Sequence, residues 1–328
     1  MLALTFPANA YLAAFFSAFV TTLLVLPLWR AWCIRINLVD DPGHRKIHST
    51  PTPLAGGLAV LTGLLLPLLG AVVLLKLNGE RIANEDLLTY GMNKRAWQLV
   101  AIAIGGIGMV VLGLLDDKHE LKPLMKFTGQ FAIALLVAAV GVRITLFVPN
   151  VIFHYAITIL WLLTVINAFN FMDNMNGLCA GLGAIGAGWF AILAALQGQY
   201  LVALIAFLTC GALLGFLPHN FPNARAFLGD SGSHLVGYLL AVLAILPHFY
   251  HEDQPRKLAV LTPLLVLAVP LADLVWVVIL RTRKGQPFYI GDTNHLSHRL
   301  VRCGLNRATA VILIWILAAA IGALAFLA

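Results

Sequence analysis

The sequence predicts an all-α, polytopic helical bundle embedded in a membrane, with about ten transmembrane helices in a single domain covering residues 1–328. Three observations carry this. Hydrophobic residues make up 61% of the chain and charged residues only 11%, against about 25% charged in soluble domains, and mean hydropathy is +0.92. The apolar residues fall in runs of about 17–25, long enough to cross a bilayer as helices. No linker or low-complexity segment interrupts them. The net charge of +7 therefore signals loop bias and an anionic substrate rather than nucleic acid.

The first span, residues 8–32, lacks a basic n-region and is too long for a signal peptide's apolar stretch, so it is expected to stay. The first loop carries Arg45, Lys46 and His48, followed by Pro51-Thr52-Pro53-Leu54-Ala55-Gly56-Gly57. The three polar residues have the chemistry to hold a lipid phosphate, although an ordinary basic loop touching headgroups looks the same. Gly56-Gly57 opens the second span, 56–77, and reads as close helix packing.

The third span, 96–115, ends in Asp116-Asp117-Lys118. The helix dipole disfavours anions at a C-terminus, and adjacent like charges add to the cost. So unfavourable a pair points to a bound cation or to proton transfer, against the plainer alternative of a solvated stop neutralised by Lys118 and Lys122. Spans four, 127–142, and five, 151–166, lead to the most polar loop. It holds Asn167, Asn170, Asn174 and Asn176, with Asp173 and Gly177. Polar groups at a span's end are costly unless they line a wet site or bind something. Asn and Asp oxygens suit Mg²⁺, and amides can read a uracil edge. Helix capping accounts for one or two of the five.

Spans six, 178–196, and seven, 201–217, precede Phe227-Leu228-Gly229-Asp230-Ser231-Gly232-Ser233. Such a run exposes backbone N–H groups to an anion, and Asp230 reads as a helix cap or a metal ligand. Span eight is 234–247. Span nine, 260–280, contains Asp273, a carboxylate that should face the bundle interior, paired and structural. The following loop is the most basic. His295 and His298 would share one helical face; with no acid or thiol ligands evident beside them for zinc, contact with phosphate, together with Arg299, fits better. The tenth span is 308–327. The remaining histidines read as interfacial or packing residues. Cys33, Cys179, Cys210 and Cys303 lack metal-like spacing and read as small apolar fillers, with neither disulfides nor metal binding expected.

Loops after odd-numbered spans hold 14 basic residues and the others 7, together the 21 of the chain. The positive-inside rule then puts the odd loops in the cytoplasm and both termini outside. Every chemical motif falls in those same odd loops, which predicts one active site on one face.

Five ordered motifs complete the reading: Arg45-Lys46-x-His48 with Pro-x-Pro-x-x-Gly-Gly, Asp116-Asp117, Asn167-x-x-Asn170-x-x-Asp173, Phe227-x-Gly-Asp230-x-Gly-Ser233, and Asp292-x-x-His295-x-x-His298. In these the chain resembles the polyprenyl-phosphate N-acetylhexosamine-1-phosphate transferases, from about Asp40 to Gly304, and most nearly the bacterial branch using UDP-N-acetylglucosamine or related sugars for surface polysaccharides. Ser297 and Asn176 stand where that branch commonly has His and Asp. The resemblance implies an enzyme of the inner (plasma) membrane that moves GlcNAc-1-phosphate from a UDP-sugar to undecaprenyl phosphate and releases UMP. It implies Mg²⁺ as cofactor, held by Asp230 and Asn170. It implies Asp116, Asp117, Lys46, His295 and His298 as catalytic residues, and Arg45, His48, Asn167, Asp173, Asn174 and Arg299 as substrate contacts. Oligomeric state, a homodimer included, stays open. A transporter or flippase for a nucleotide-sugar or lipid-linked sugar is the alternative. It would place its polar residues near the bilayer midplane, often in repeated halves.

Overall fold

A computed structural model describes residues 5–41, 51–78, 91, 93–145, 148–247, 259–287, 289 and 293–327. Arg45, Lys46 and His48, and with them Asp292, lie outside the described residues.

All ten predicted spans are helical. They are α1 (Ala8–Arg35), α2 (Gly56–Asn78), α3 (Ala96–His119), α4 (Pro123–Ala139), α5 (Val151–Met172), α6 (Leu178–Leu196), α7 (Tyr200–Asn220), α8 (Gly229–Leu243), the pair α9 (Thr262–Val266) and α10 (Ala268–Arg283), and, after a short α11 (Leu296–Arg302), α12 (Arg307–Ala323). Seven are long and apolar enough to cross a membrane, eight if the bent ninth span counts as one. The remaining two, α4 and α8, have 17 and 15 residues, about 26 and 22 Å of helix.

The shortness of α8 follows from its place. It is buried along almost its whole length and packs against α2, α3, α5 and α6, so it meets protein rather than lipid. Close approach explains how four helices fit around it. A Cβ at Gly57 would stand 2.6 Å from the Gly232 nitrogen, and one at Gly113 would stand 2.3 Å from the Ser231 Cα. The Gly56-Gly57 pair thus serves helix packing, as its sequence position implied. Farther out, α1 lies on α2 and α7, α6 on α7, and α12 on α6. The outer faces expose large apolar side chains such as Leu24, Leu28, Leu69 and Leu77, as a lipid-facing surface requires.

The ninth span breaks by 70° between α9 and α10. Pro270 has no amide to donate back to Val266, and in a continuous helix its ring would clash with that carbonyl. Leu267, at the break, accordingly leaves helical geometry with φ −102°. Two short strands, β1 (Val39–Asp40) and β2 (Thr52–Pro53), pair antiparallel. The segment before α8 is fastened to them, since Phe227 N donates to Pro53 O at 2.9 Å and Gly56 N to Phe227 O at 2.9 Å.

Candidate active site

The end of α3, the starts of α4 and α8 and the end of α5 meet at one end of the bundle. The two adjacent carboxylates of α3 find different partners there. Asp117 turns toward α8: one oxygen accepts the Asp230 amide at 2.8 Å and the other the Ser231 amide at 3.2 Å. It thereby satisfies amides that the first turn of α8 cannot pair internally, and the positive end of the α8 dipole offsets the negative end of α3. Gly229, with φ +72°, makes the turn, and a Cβ on it would meet Asp117 Oδ2 at 2.8 Å.

Asp116 is buried and turns toward α4. Its Oδ1 accepts the Leu121 amide at 2.9 Å, and its Oδ2 pairs with the Lys126 ammonium. Lys126 also donates to Asp230 Oδ2 at 3.0 Å. The cation that the carboxylate pair called for is, in this structure, the Lys126 ammonium bridging Asp116 and Asp230. Lys126 was absent from the predicted site. Its signal is a lysine in the first turn of an apolar helix, ten residues after Asp116.

Asn170, in the last turn of α5, donates Nδ2 to Asp230 Oδ1 at 2.6 Å and to Ser233 Oγ at 3.0 Å. Asp173 caps the same helix. It reaches solvent, yet protein crowds its carboxyl; that crowding, then the charges of Asp230 and Asp117, hold its pKa well above the usual carboxylate value, an effect its contact with water tempers. Asn167, read as a nucleotide contact, is tied inward. Its Nδ2 donates to Gln130 Oε1 at 2.8 Å, and Gln130 Nε2 stands 3.3 Å from His234 Nε2. Asn176 donates to Pro222 O at 3.1 Å, and Asn220 Oδ1 accepts the Gly177 amide at 2.6 Å. These bonds fasten the fifth loop to the seventh.

The ninth loop reaches the same neighbourhood through α11. Ser297, buried, donates to Asn174 Oδ1 at 2.6 Å, and Asn174 Nδ2 donates to Phe171 O at 2.6 Å. The His295 ring meets Phe171 edge-on at 5.6 Å and lies 6.4 Å from His298. The Arg281 guanidinium covers Phe171 at 4.9 Å, and Arg299 covers Trp276 at 4.9 Å. Burial, then the charges of His295, Arg302 and Arg307, lower the pKa of His298, with Asp273 opposing. Asp273 is paired, as expected, and its partner is His295 at 2.6 Å.

Among the described residues no three His, Cys, Asp or Glu side chains converge into a complete metal cage. Mg²⁺ does not need one, since it takes one or two carboxylates and completes its shell with water and substrate phosphates. Asp116 and Asp230, already sharing one cation, form such a partial oxygen set. The Asn170 amide nitrogen is committed to Asp230 and Ser233, which leaves its Oδ1 as the amide atom with lone pairs for a metal. The donor set fits the ion.

Comparison with known proteins shows the family. The family model described as Glycosyl transferase family 4 matches residues 99–248, the stretch from α3 through α8. A probable undecaprenyl-phosphate N-acetylglucosaminyl 1-phosphate transferase of Bacillus subtilis (strain 168) is 30% identical over 312 residues, covering 93% of this chain and 81% of its own. The decaprenyl-phosphate N-acetylglucosaminephosphotransferase of Mycobacterium tuberculosis (strain ATCC 25618 / H37Rv) is 34% identical over 319 residues, covering 88% and 76%. The undecaprenyl-phosphate alpha-N-acetylglucosaminyl 1-phosphate transferase of Escherichia coli (strain K12) is 26% identical over 327 residues, covering 95% and 82%.

Proposed function

The chain belongs to the polyprenyl-phosphate N-acetylglucosamine-1-phosphate transferases, and from that membership we propose that it moves GlcNAc-1-phosphate from UDP-GlcNAc to undecaprenyl phosphate. An oxygen of the lipid phosphate attacks the phosphorus that bears the sugar. The bond from that phosphorus to the bridging oxygen breaks, and UMP leaves with the electron pair. The product is a lipid-diphosphate sugar, the starting unit of a surface polysaccharide.

The observation that supports this most is the meeting of Asp116, Lys126, Asn170 and Asp230, from four helix ends, beside two histidines and two arginines. Phosphoryl transfer needs positioning and charge neutralisation more than covalent help. Lys126 brings a cation whose present partners are carboxylates, and its flexible stem lets the ammonium turn to a phosphate oxygen. Asp117 holds the first turn of α8, and thereby Asp230, in place. Asn170 fixes the Asp230 carboxylate from the other side. A bound Mg²⁺ would supply further neutralisation of the pyrophosphate, held by Asp230, Asp116 and the Asn170 amide. The acceptor phosphate, with a second pKa near 6, is already mostly dianionic at neutral pH, so neither Asp116 nor Asp117 has to remove a proton. The polyprenyl tail stays in lipid while the sugar nucleotide arrives from water, and helix ends at the membrane surface are where the two meet. We place that surface on the cytoplasmic side of the plasma membrane.

Purified protein given UDP-GlcNAc, Mg²⁺ and undecaprenyl phosphate should release UMP only when the lipid phosphate is present. Movement of a labelled sugar nucleotide or lipid-linked sugar across a vesicle membrane without UMP release would instead mean a transporter.

A further inference from the structure

Asp273 sits inside α10, buried on an otherwise apolar stretch of helix. A carboxylate there must be satisfied by protein, and the start of α11 does it with two short bonds. Asp273 Oδ2 pairs with His295 Nδ1 at 2.6 Å, and Oδ1 accepts the Leu296 amide at 2.6 Å. The backbone bond fixes the carboxylate against α11. The side-chain bond fixes the rotation of the imidazole, and because an ionised carboxylate only accepts, it puts a proton on Nδ1. Phe171 stands edge-on to the ring, leaving it little room to turn; only 6% of the side chain is exposed. The other ring nitrogen, Nε2, has no hydrogen-bond partner among the described residues and is not among the atoms sealed from solvent. The His298 ring lies 6.4 Å from that of His295, and the Arg281 guanidinium covers the Phe171 ring that His295 meets.

We infer that Asp273 is a positioning residue of the transfer reaction, holding His295 so that Nε2 is the atom offered to a substrate phosphate oxygen. With Nδ1–H held by the carboxylate, Nε2 is the ring atom left to share a hydrogen with a phosphate oxygen. The inference rests on the transferase reading and extends it to a residue that touches no substrate.

Two variants, a control and a background test it. Asp273→Asn removes the counter-charge and one of the two accepting oxygens; turnover per folded molecule should fall about 10–100-fold, beyond the lowering of the melting temperature that the lost acceptor costs. Leu296→Pro removes the backbone bond and trims a half-buried side chain packed against the core, and Leu296→Ala, which keeps the amide, controls for the trimming. Leu296 is the first residue of α11, where proline is tolerated, and His295 already has the extended backbone, φ −60° and ψ 152°, that precedes a proline. The proline variant should lose turnover several-fold while folding normally, and it decides the matter if Asp273→Asn does not fold. In a His295→Gln background, Asp273→Asn should cost less than about two-fold in turnover and in affinity for UDP-GlcNAc and polyprenyl phosphate, because its route of action is gone. An equal loss in both backgrounds, or wild-type turnover in the folded Asp273→Asn and Leu296→Pro variants, overturns the inference. Wild-type protein that releases no UMP overturns the transferase reading instead.

Discussion

Asp117 carries a cost at the end of α3 and a gain at the start of α8. Both of its oxygens are committed to α8 amides, so its loss is a matter of stability first. Asp117→Asn keeps one acceptor and loses the other, leaving a buried amide without a partner, which should cost about 1–3 kcal/mol and show as a lower melting temperature. Asp230 works otherwise. Its carboxylate faces Lys126 and Asn170 in the part of the site that a metal and pyrophosphate would share. Asp230→Asn should lower turnover about 100-fold or more, corresponding to roughly 2.7 kcal/mol. Chelation of Mg²⁺ should abolish wild-type activity and re-addition should restore it; full activity of Asp230→Asn with Mg²⁺ present would remove Asp230 from the metal site. Asp116, Asn170 and Asp230 could be picked out in the sequence because a polar residue at the end of an apolar helix carries a cost that demands a reason. Lys126 could not, because its partner Asp230 is 104 residues away and a lysine at a helix start has many ordinary explanations. The inward bonds of Asn167 to Gln130 and of Asn174 to Ser297 were hidden for the same reason: an amide's sequence position says nothing about which long-range partner it finds.

Among the helices, position is set by small residues more than by apolar ones. Gly113 lies one turn before Asp117, and its missing side chain lets α3 approach α8 closely enough for the carboxylate to reach the amides. Gly113→Ala would put a Cβ 2.3 Å from both the Ser231 Cα and nitrogen. Backbone cannot yield as a flexible side chain can, so the helices must separate. The expected cost is about 1–3 kcal/mol together with a loss of turnover, since Asp230 moves with α8; equal melting temperature and turnover in this variant would refute the close packing. The apolar runs announced all ten helical segments, because burial in lipid or protein leaves the same hydrophobic signature. For that reason they could not distinguish α8, enclosed by other helices, from a lipid-facing span. The break before α10 had a local signal in Pro263 and Pro270, but hydropathy averages over such a break.

At the scale of the whole chain, the segregation of polar motifs into odd loops predicted one shared site, and the helix ends bearing Asp116, Lys126, Asn170 and Asp230 do meet. Charge bias adds a direction to this. The loops on the site's side carry 14 of the 21 basic residues, which should hold that end in the cytoplasm. The chain contains its own reporter, since Cys33, Cys179 and Cys210 are buried while Cys303, just after α11, is exposed. A membrane-impermeant maleimide should therefore label Cys303 in inverted vesicles and not in intact spheroplasts. Trp97 marks the far end: it is exposed at the start of α3, about 30 Å of helix from Asp116. In a Cys303→Ser background, Trp97→Cys should show the opposite pattern. Label reaching both positions from the same side would contradict the assigned orientation, and Cys303 reacting only from outside would invert it, putting the site where no cytoplasmic sugar nucleotide could arrive.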